Sequence, residues 1–290
     1  MNGRRRYCGR DFQDDELEAI SRLIEDTPGA NRAQLSRMVC KHLDWLKPDG
    51  GLKDMSCRVA MLRMQADGLI ALPPPLHRSS NGKPYRRRTA QAEPQLFVID
   101  EPAGRLPELC LELVAGRAAS HLWNEYIDRY HYLGYQPLPG AQLRYFARSD
   151  GQVVALFGFG AAAWKTSPRD LFIGWTHAQR EANLHLVVNN ARFLILPWVR
   201  SKNLASRLLG MVARRITSDW CARYDYRPVL LETFVELPRF TGIAYKAANW
   251  TYLGDTKGRG KLDVKKEARL PRKAIWVYPL TRTFRRALCA

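Results

Sequence analysis

The sequence predicts a mixed α/β protein with two domains, a small helical domain followed by a larger one built on a β-sheet. Three segments with apolar residues at helical spacing come first, within residues 14–68. After residue 96, apolar segments typical of strands alternate with helical ones. The 290 residues suffice for two domains, since one domain usually holds about 100 to 200. We therefore expect domains at residues 1–76 and 96–290, joined by a basic linker at residues 77–95.

Three helices are predicted in the N-terminal domain from their start and stop signals. The first covers residues 14–26, begins with a turn of Asp and Glu that suits the helix dipole, and is broken by Pro28. The second begins after Asn31, which is a good N-cap. The third ends at Gly68, and its predicted core stripe consists of Met55, Val59, Leu62 and Ala66.

The segment after the third helix has the pattern of a wing. Residues 69–72 are apolar and typical of a strand, three prolines end them, and a basic glycine-containing segment follows. Three helices, a strand and a flexible basic loop are the order of a winged helix, a helix-turn-helix variant that binds DNA. A module that docks a protein partner would look similar. On the DNA-binding interpretation, the third helix and the wing supply the cations that meet phosphates and bases: Lys53, Arg58, Arg63, Arg86, Arg87 and Arg88.

The second domain is predicted as a mixed sheet with helices between its strands. Residues 142–161 have the alternation and the Ser-Asp-Gly turn of a hairpin. Other strands are predicted at residues 173–175, 193–196, 228–234, near 251 and at 274–279, and helices at residues 118–130, 200–220 and 239–249.

Charge is the strongest signal in the composition. Lys and Arg number 46 against 28 Asp and Glu, which gives a formal net charge of +18 and a pI near 9.9. The cations cluster at residues 78–88 and again at residues 257–286, which indicates a polyanionic partner, above all nucleic acid. Lys257, Arg259 and Lys261 are therefore further candidate DNA contacts. The alternative for each run is a solvated surface that keeps the protein soluble.

Nothing in the sequence indicates secretion or a membrane. The six cysteines are scattered without the paired spacing of a zinc site, so we expect free thiols. The arginines at residues 4–6 are followed by acidic residues where a signal peptide has an apolar core, and no apolar run reaches the roughly 20 residues that span a bilayer. We therefore expect a cytoplasmic protein that contacts no membrane, with a homo-oligomer left open.

One strand-loop-helix segment resembles the cofactor segment of the Gcn5-related acetyltransferases. The strand at residues 193–196 leads into RSKNLA at residues 200–205 and then into the long helix, where those enzymes have Arg/Gln-x-x-Gly-x-Gly/Ala. The resemblance implies an acetyltransferase-like fold. A side chain obstructs the approach of pyrophosphate to backbone amides, and Asn203 stands where the first glycine is expected. We therefore assign no cofactor-binding residues and do not expect acetyl-CoA to bind.

Six longer strings carry a second resemblance, which covers nearly the whole chain. They are GLKDMSCR at 51–58, YHYLG at 130–134, IGW at 173–175, NARFLILPW at 190–198, ETF at 232–234 and YKAANW at 245–250. Together they resemble the DruA family, the first component of some Druantia anti-phage systems, which is also found with mobile elements. The resemblance implies a prokaryotic protein that works on DNA in defence or in element mobility, with other proteins of such systems as possible partners.

Three residues of the second domain are candidate catalytic groups. His131, at the end of a predicted helix, would act as a general base or a metal ligand, or else cap the helix. Glu232 is costly to bury alone, so it either pairs with a cation such as Arg192 or takes part in chemistry. Tyr245, beside Lys246, would be the nucleophile of a phosphotyrosyl link, or else pack in the core.

Metal-dependent cleavage of DNA requires carboxylates that converge on one ion. Glu232 and Asp170 are the candidate ligands, with Mg²⁺ or Mn²⁺ as cofactor, and Arg192 is a further candidate DNA contact. The leading hypothesis is a protein that binds duplex or single-stranded DNA and cleaves or transfers strands, as a nuclease or transposase does. The alternatives are an acyl-CoA-dependent N-acyltransferase and a non-catalytic DNA-binding subunit of a helicase or nuclease complex.

The wing assignment predicts the effect of reversing its charge. Replacement of Arg86, Arg87 and Arg88 by glutamate should weaken DNA binding and make the affinity depend less steeply on salt concentration. Each lost phosphate contact lowers the number of counterions that are released on binding. A salt titration of DNA affinity measures both effects. An affinity that stays unchanged throughout the titration contradicts the wing assignment.

Overall fold

The structure of the protein is a computed structural model that describes residues 5–76, 85, 87–96, 98–138, 140–258 and 270–290. The chain divides into two compact units, Met1–Asn81 and Gly82–Ala290. The first unit is mainly helical, and the second holds a mixed sheet of seven described strands. The predicted mixed α/β class is therefore confirmed. No helix within the described residues is long and apolar enough to cross a bilayer.

The first unit begins with a short β-hairpin and continues with three helices. Its elements are β1 (Arg5–Tyr7), β2 (Arg10–Phe12), α1 (Asp14–Glu25), α2 (Arg32–His42) and α3 (Asp54–Ala66). Asn31 caps α2 as predicted, because its side-chain oxygen accepts the N–H groups of Ala33 and Gln34, each at 3.0 Å. The three predicted helices are confirmed, whereas the hairpin was not predicted.

The predicted core stripe of α3 is wrong. Met55, Val59 and Leu62 are 61%, 39% and 41% exposed, and Ala66 is also exposed. The buried face consists of Cys57, Ala60, Met61 and Met64. Apolar residues surround most of α3, so helical spacing fits either face, and the packing of α3 against α2 decides which face is buried.

The predicted strand at residues 69–72 is not a strand in the structure. These residues have no ladder partner among the described residues, although Ile70 packs into the core of the first unit. An apolar run of four residues identifies a buried segment but not a paired one. Most of the predicted wing, residues 77–84 and 86, lies outside the described residues, whereas Arg87 and Arg88 lie within them.

One mixed sheet organises the second unit. Its strands are β3 (Cys110–Leu113), β4 (Leu143–Ser149), β5 (Gln152–Ala161), β6 (Val187–Ile195), β7 (Leu230–Glu236), β8 (Thr251–Asp255) and β9 (Lys273–Pro279). Their order across the sheet is β3-β4-β5-β6-β7-β9-β8, and every neighbouring pair is antiparallel except β6 and β7. The predicted hairpin is confirmed as β4 and β5, which turn at Asp150 and Gly151.

Helices connect and cover the strands of the second unit. Those described are α4 (Gly116–Tyr130), α5 (Ser167–Ile173), α6 (His177–Asn183), α7 (Leu204–Tyr224), α8 (Ile243–Ala247) and α9 (Phe284–Leu288). The long helix α7 carries the chain from β6 to the parallel β7, a connection that cannot be made by a tight turn. It buries Leu208, Val212, Ile216 and Trp220 in the same core as the sheet.

The strand predicted at residues 173–175 is wrong, because Ile173 is the last residue of α5. Gly174 ends that helix in the left-handed conformation, with φ of 86°. The short helices α6 and α9 were not predicted. Helices of this length depend on tertiary packing, so their sequences carry little periodicity to detect.

Part of the predicted linker at residues 77–95 packs on α4 and belongs to the second unit. The Thr89 N–H and hydroxyl donate to the two carboxylate oxygens of Glu125, at 2.6 and 3.0 Å. The Tyr126 hydroxyl donates to the Gln91 carbonyl at 2.7 Å, and Ala92 is fully buried. The polar composition of this segment therefore reflects hydrogen bonds to α4.

A fully buried ion pair joins β7 to α5. Arg169 donates to Glu232 Oε2 at 2.8 Å and to the Ala163 carbonyl at 2.7 Å, and the Ala163 N–H donates to Glu232 Oε1 at 2.7 Å. The remaining guanidinium N–H groups of Arg169 meet Asp170 Oδ1 at 2.8 and 3.0 Å. Asp170 also accepts the Trp175 indole N–H at 3.1 Å. The buried charges are thus paired and hydrogen-bonded.

Removal of the Glu232 charge should destabilise the second unit strongly. In Glu232→Gln, Arg169 loses the partner that offsets its burial, and we expect a loss of about 3 kcal/mol or more in the free energy of unfolding. The matched control is Glu236→Gln on the same strand, where the carboxylate meets Arg239 at 3.7 Å near solvent, and this change should cost about 0–1 kcal/mol. Urea unfolding of both variants measures the difference, and equal losses would contradict a structural role for the pair.

Candidate functional site

A cavity of about 710 Å³ lies where β6 and β7 separate. The two strands pair over only three residue pairs, of which the last joins Asn189 to Glu232. Beyond this point residues 190–195 of β6 and 233–236 of β7 line opposite walls. Residues 130–133 after α4 and residues 239–245 around the start of α8 complete the lining. We call this site the β6–β7 cavity.

The lining of the β6–β7 cavity is cationic. Arg192, Arg239 and Lys273 line it, and Glu236 is the one carboxylate among the described lining residues. The Arg192 guanidinium donates to the Ala191 carbonyl at 2.8 Å and forms no ion pair with a described carboxylate. Burial lowers the pKa of Arg192, so its charge is held at an energetic cost. An anionic ligand would offset that cost.

His131 lies in the β6–β7 cavity as a neutral imidazole. Burial and the neighbouring Arg192 lower its pKa to about 4. Its Nδ1 accepts the Leu133 N–H at 3.2 Å, which places the proton of the neutral ring on Nε2. The ring therefore offers a hydrogen-bond donor, whereas a general base would need a free acceptor nitrogen.

Tyr245 also lines the cavity, but its hydroxyl is engaged. It donates to Asn190 Oδ1 at 2.8 Å, and the Thr233 hydroxyl lies 3.5 Å away. Burial raises the pKa of the phenol. A nucleophile needs a lowered pKa or an adjacent base, and neither is found among the groups that contact this hydroxyl. The geometry is that of a tyrosine that holds β6, β7 and α8 together.

Two predicted carboxylates lie elsewhere. Glu232 and Asp170 belong to the buried network of Arg169 and do not line the β6–β7 cavity. Burial raises the pKa of Glu232, while Arg169 and the Ala163 N–H oppose that rise. The structure therefore realises the cation-paired alternative for Glu232, with Arg169 in the place expected for Arg192.

The predicted DNA contacts are spread over both units. In the first unit Lys53 is half-buried, Arg63 is exposed, and Arg58 pairs with Asp54 at 3.4 Å. In the second unit Arg192 lines the cavity, Arg87 and Lys257 are exposed, and Arg88 pairs with Asp128 at 2.9 Å. The remaining three lie outside the described residues: Arg86, Arg259 and Lys261.

Several cavity residues were not predicted to act together. Arg239, Phe240 and Lys273 come from two separate segments, and Glu236 is the last residue of β7. No spacing in the sequence links them, because the loop after β7 and the strand β9 meet only in the folded sheet. The available signals were the strings at residues 130–134, 190–198, 232–234 and 245–250, each of which contains lining residues.

In the loop before α7, Asn203 adopts the backbone conformation for which the sequence pattern expects glycine. Asn203 takes φ of 66°, the left-handed conformation that glycine usually supplies, and directly precedes the 21-residue helix. Arg200 and Lys202 of this loop are exposed. A helix N-terminus flanked by two cations is suited to a pyrophosphate, so the residues present fit the cofactor of the acetyltransferase fold.

The low pKa of His131 predicts a pH effect on stability. The pKa in the unfolded chain is about 6.5, so the unfolded state takes up the proton first as pH falls. The free energy of unfolding should therefore drop between about pH 6.5 and pH 4, and His131→Asn should remove about 1–2 kcal/mol of that drop. Urea unfolding at about pH 7 and pH 5 measures it. The exposed His177 provides the control His177→Asn, and equal behaviour of the two variants would contradict the assignment.

Known structures that resemble the chain are acetyltransferases. A polyamine N-acetyltransferase from Drosophila melanogaster is 13% identical with a TM-score of 0.37, over 59% of this chain and 100% of that one. An acetyltransferase from Bacillus subtilis in complex with CoA is 9% identical with a TM-score of 0.35, over 60% and 100%. A putative acetyltransferase from Salmonella typhimurium with its cofactor acetyl-CoA is 13% identical with a TM-score of 0.31, over 49% and 66%. Comparison with curated proteins finds no match.

The cofactor prediction, a divalent metal ion in preference to acetyl-CoA, is wrong. The described residues contain no group of three His, Cys, Asp or Glu side chains that could hold a metal ion, and the two proposed ligands are bonded to Arg169. Two of the similar structures contain acetyl-CoA or CoA.

The family is shown by a match that covers most of the chain. The family model described as Druantia protein DruA matches residues 63–267 of the 290. The match includes five of the six strings on which the resemblance was based. Membership of this family implies a role in anti-phage defence, and the chain belongs to the DruA family.

Proposed function

We propose that this protein acts in anti-phage defence as a nucleic-acid-binding protein whose second unit makes most of the contacts. The main observation behind the proposal is that the second unit contains most of the excess positive charge. Met1–Asn81 contains 13 Lys and Arg against 11 Asp and Glu, whereas Gly82–Ala290 contains 33 against 17. Phosphate contacts by Lys and Arg supply most of the affinity for nucleic acid, so the second unit is the better suited to a polyanion.

Exposed cations on the segments that follow β7 and β8 support this assignment. Arg239, Lys246 and Lys257 are all exposed, and they lie between the end of β7 and the segment that follows β8. Lys246 and Lys257 form no ion pair with a described carboxylate, and Arg239 meets Glu236 only at 3.7 Å. Unpaired surface cations are free to contact phosphates without first breaking an internal bond.

The helical first unit supplies fewer free cations. Arg58 is held by Asp54, and acidic residues of α1 balance the arginines of the hairpin. Lys53, just before α3, and Arg63 on α3 remain candidates for a secondary contact that positions the nucleic acid. Their contribution to affinity should be the smaller one.

The chemistry of the predicted catalytic residues favours binding over strand cleavage. Glu232 is enclosed with Arg169, and the Tyr245 hydroxyl donates to Asn190 with no base beside it. Neither group is positioned to attack or activate a phosphodiester. We therefore propose the DNA-binding subunit among the hypotheses for this chain, in a complex whose other components cut or unwind DNA.

A second candidate function is N-acyl transfer, which the separation of β6 and β7 favours. Strands that part leave room for an extended, amide-bearing ligand to lie between them. Acetyl-CoA, when bound, would supply the acyl group. The Asn203 loop and the α7 amides would hold its pyrophosphate, and Glu236 is the lining carboxylate able to take the proton from an amine. Calorimetry with acetyl-CoA tests this candidate: micromolar binding supports it, and no heat of binding opposes it.

Neutralising the two sets of cations tests the leading proposal. In the full-length protein, Arg239→Gln, Lys246→Gln and Lys257→Gln together should weaken DNA binding and lower the slope of log affinity against log salt by about 2 to 3. The matched control changes the same number of charges in the first unit, at Lys53, Arg58 and Arg63, and should lower the slope by about 1 or less. Fluorescence anisotropy across a salt series measures both. The proposal fails if wild type binds no DNA at low salt, or if only the first-unit variant loses affinity.

A further inference from the structure

The β6–β7 cavity combines an anion site with an aromatic surface. The anion site is Arg192, which is half-buried, forms no ion pair with a described carboxylate, and has Lys273 and Arg239 as other lining cations. A buried guanidinium without a counter-charge is costly, and a phosphate would match its planar donors. Glu236 is the single described lining carboxylate, and its contact with Arg239 at 3.7 Å leaves Arg192 unbalanced.

The aromatic surface forms the rim next to residues 130–133. The Tyr132 ring stacks on His131 with centroids 4.8 Å apart, and the Arg239 guanidinium lies 4.9 Å from the Tyr132 ring centre. The rings of Phe240 and Tyr132 pack edge to face, with centroids 5.2 Å apart. Phe240 lines the cavity and is 46% exposed. Phe240 is therefore the exposed ring of this cluster, and an exposed ring next to arginine is a surface on which an unpaired base can stack.

The interior of the cavity supplies a polar group that would pair with a base. The neutral His131 ring carries its proton on Nε2, as its Nδ1 bond to the Leu133 N–H requires. A hydrogen-bond donor beside apolar lining residues can meet an acceptor on the edge of a nucleobase. The volume of about 710 Å³ lies in the range of roughly 300–1,000 Å³ that is usual for small-ligand sites.

We propose that the β6–β7 cavity holds one unpaired nucleotide of a nucleic-acid strand, with its phosphate on Arg192 and its base against Phe240. This inference rests on the proposed function and adds to it the form of the ligand, a single-stranded or extruded nucleotide. A paired base cannot enter such a cavity, because its edge and faces are covered in the duplex. No bond is made or broken in this step.

Two variants of the full-length protein test the cavity. Arg192→Gln removes the phosphate partner, and Phe240→Ala removes an exposed ring whose loss leaves the core intact. Each should weaken binding of a fluorescent oligothymidylate by about 10-fold, while affinity for a duplex changes by about two-fold or less. Arg286→Gln, which neutralises an exposed arginine of α9, is the control for a general loss of charge and should affect both ligands slightly. Thermal unfolding checks that the variants fold.

The outcomes separate this inference from the proposed function. Equal losses for oligothymidylate and duplex, or no loss in either cavity variant, would overturn the cavity site while leaving nucleic-acid binding in place. If wild type bound neither ligand, the proposed function would fail, and titration with AMP would decide the cavity: binding lost in Arg192→Gln but kept in Arg286→Gln would support it. If CoA binding depended on Arg192 while oligothymidylate binding did not, the nucleotide would be that of CoA, and the proposal would be overturned.

Discussion

The second unit depends on one buried ion pair, that of Arg169 and Glu232. Both side chains are fully enclosed, and their hydrogen bonds tie β7 to α5 and to the chain segment that follows β5. A pair of this kind is costly to form and more costly to break, because removal of either partner leaves the other charge buried without compensation. It therefore fixes where β7 begins relative to its neighbours. The remaining features of the candidate site follow from that position.

The parallel pairing of β6 and β7 ends at Glu232, the residue that Arg169 holds. Beyond it the strands part, and Tyr245 closes the base of the gap through its hydrogen bond to Asn190. One carboxylate and one phenol that the sequence offers as reactive, those of Glu232 and Tyr245, thus stabilise the strands around the cavity. The groups left to face a ligand are cations and aromatic rings, which suit an anion with a planar part. The buried charges of Arg169 and Glu232 stabilise the fold, whereas the cations that line the cavity are left to bind a ligand.

The distribution of charge has the same physical logic on a larger scale. The helical unit contains nearly equal numbers of cations and anions, and its arginines are largely paired. The second unit keeps an excess of cations, several of which have no described acidic partner. Because affinity for nucleic acid grows with the number of phosphates that are neutralised, an excess on one unit matters more than the total for the chain. A helix-turn-helix pattern alone would place the proposed contacts on the first unit instead.

Features that depend on neighbouring residues in the sequence could be predicted, whereas contacts between distant residues could not. Acidic first turns, the Asn31 cap, the hairpin at residues 142–161 and the order of strand, α7 and strand all depend on neighbours in sequence, so their patterns predicted them. The buried face of α3 was misassigned because both of its faces are apolar, and only packing chooses between them. Glu232 was predicted to need a cation, since a lone buried carboxylate is costly, but Arg169 as that cation, 63 residues away, was set by the fold. Arg192, Arg239 and Phe240 likewise form one site only because two parallel strands part between them, and no local pattern encodes that separation.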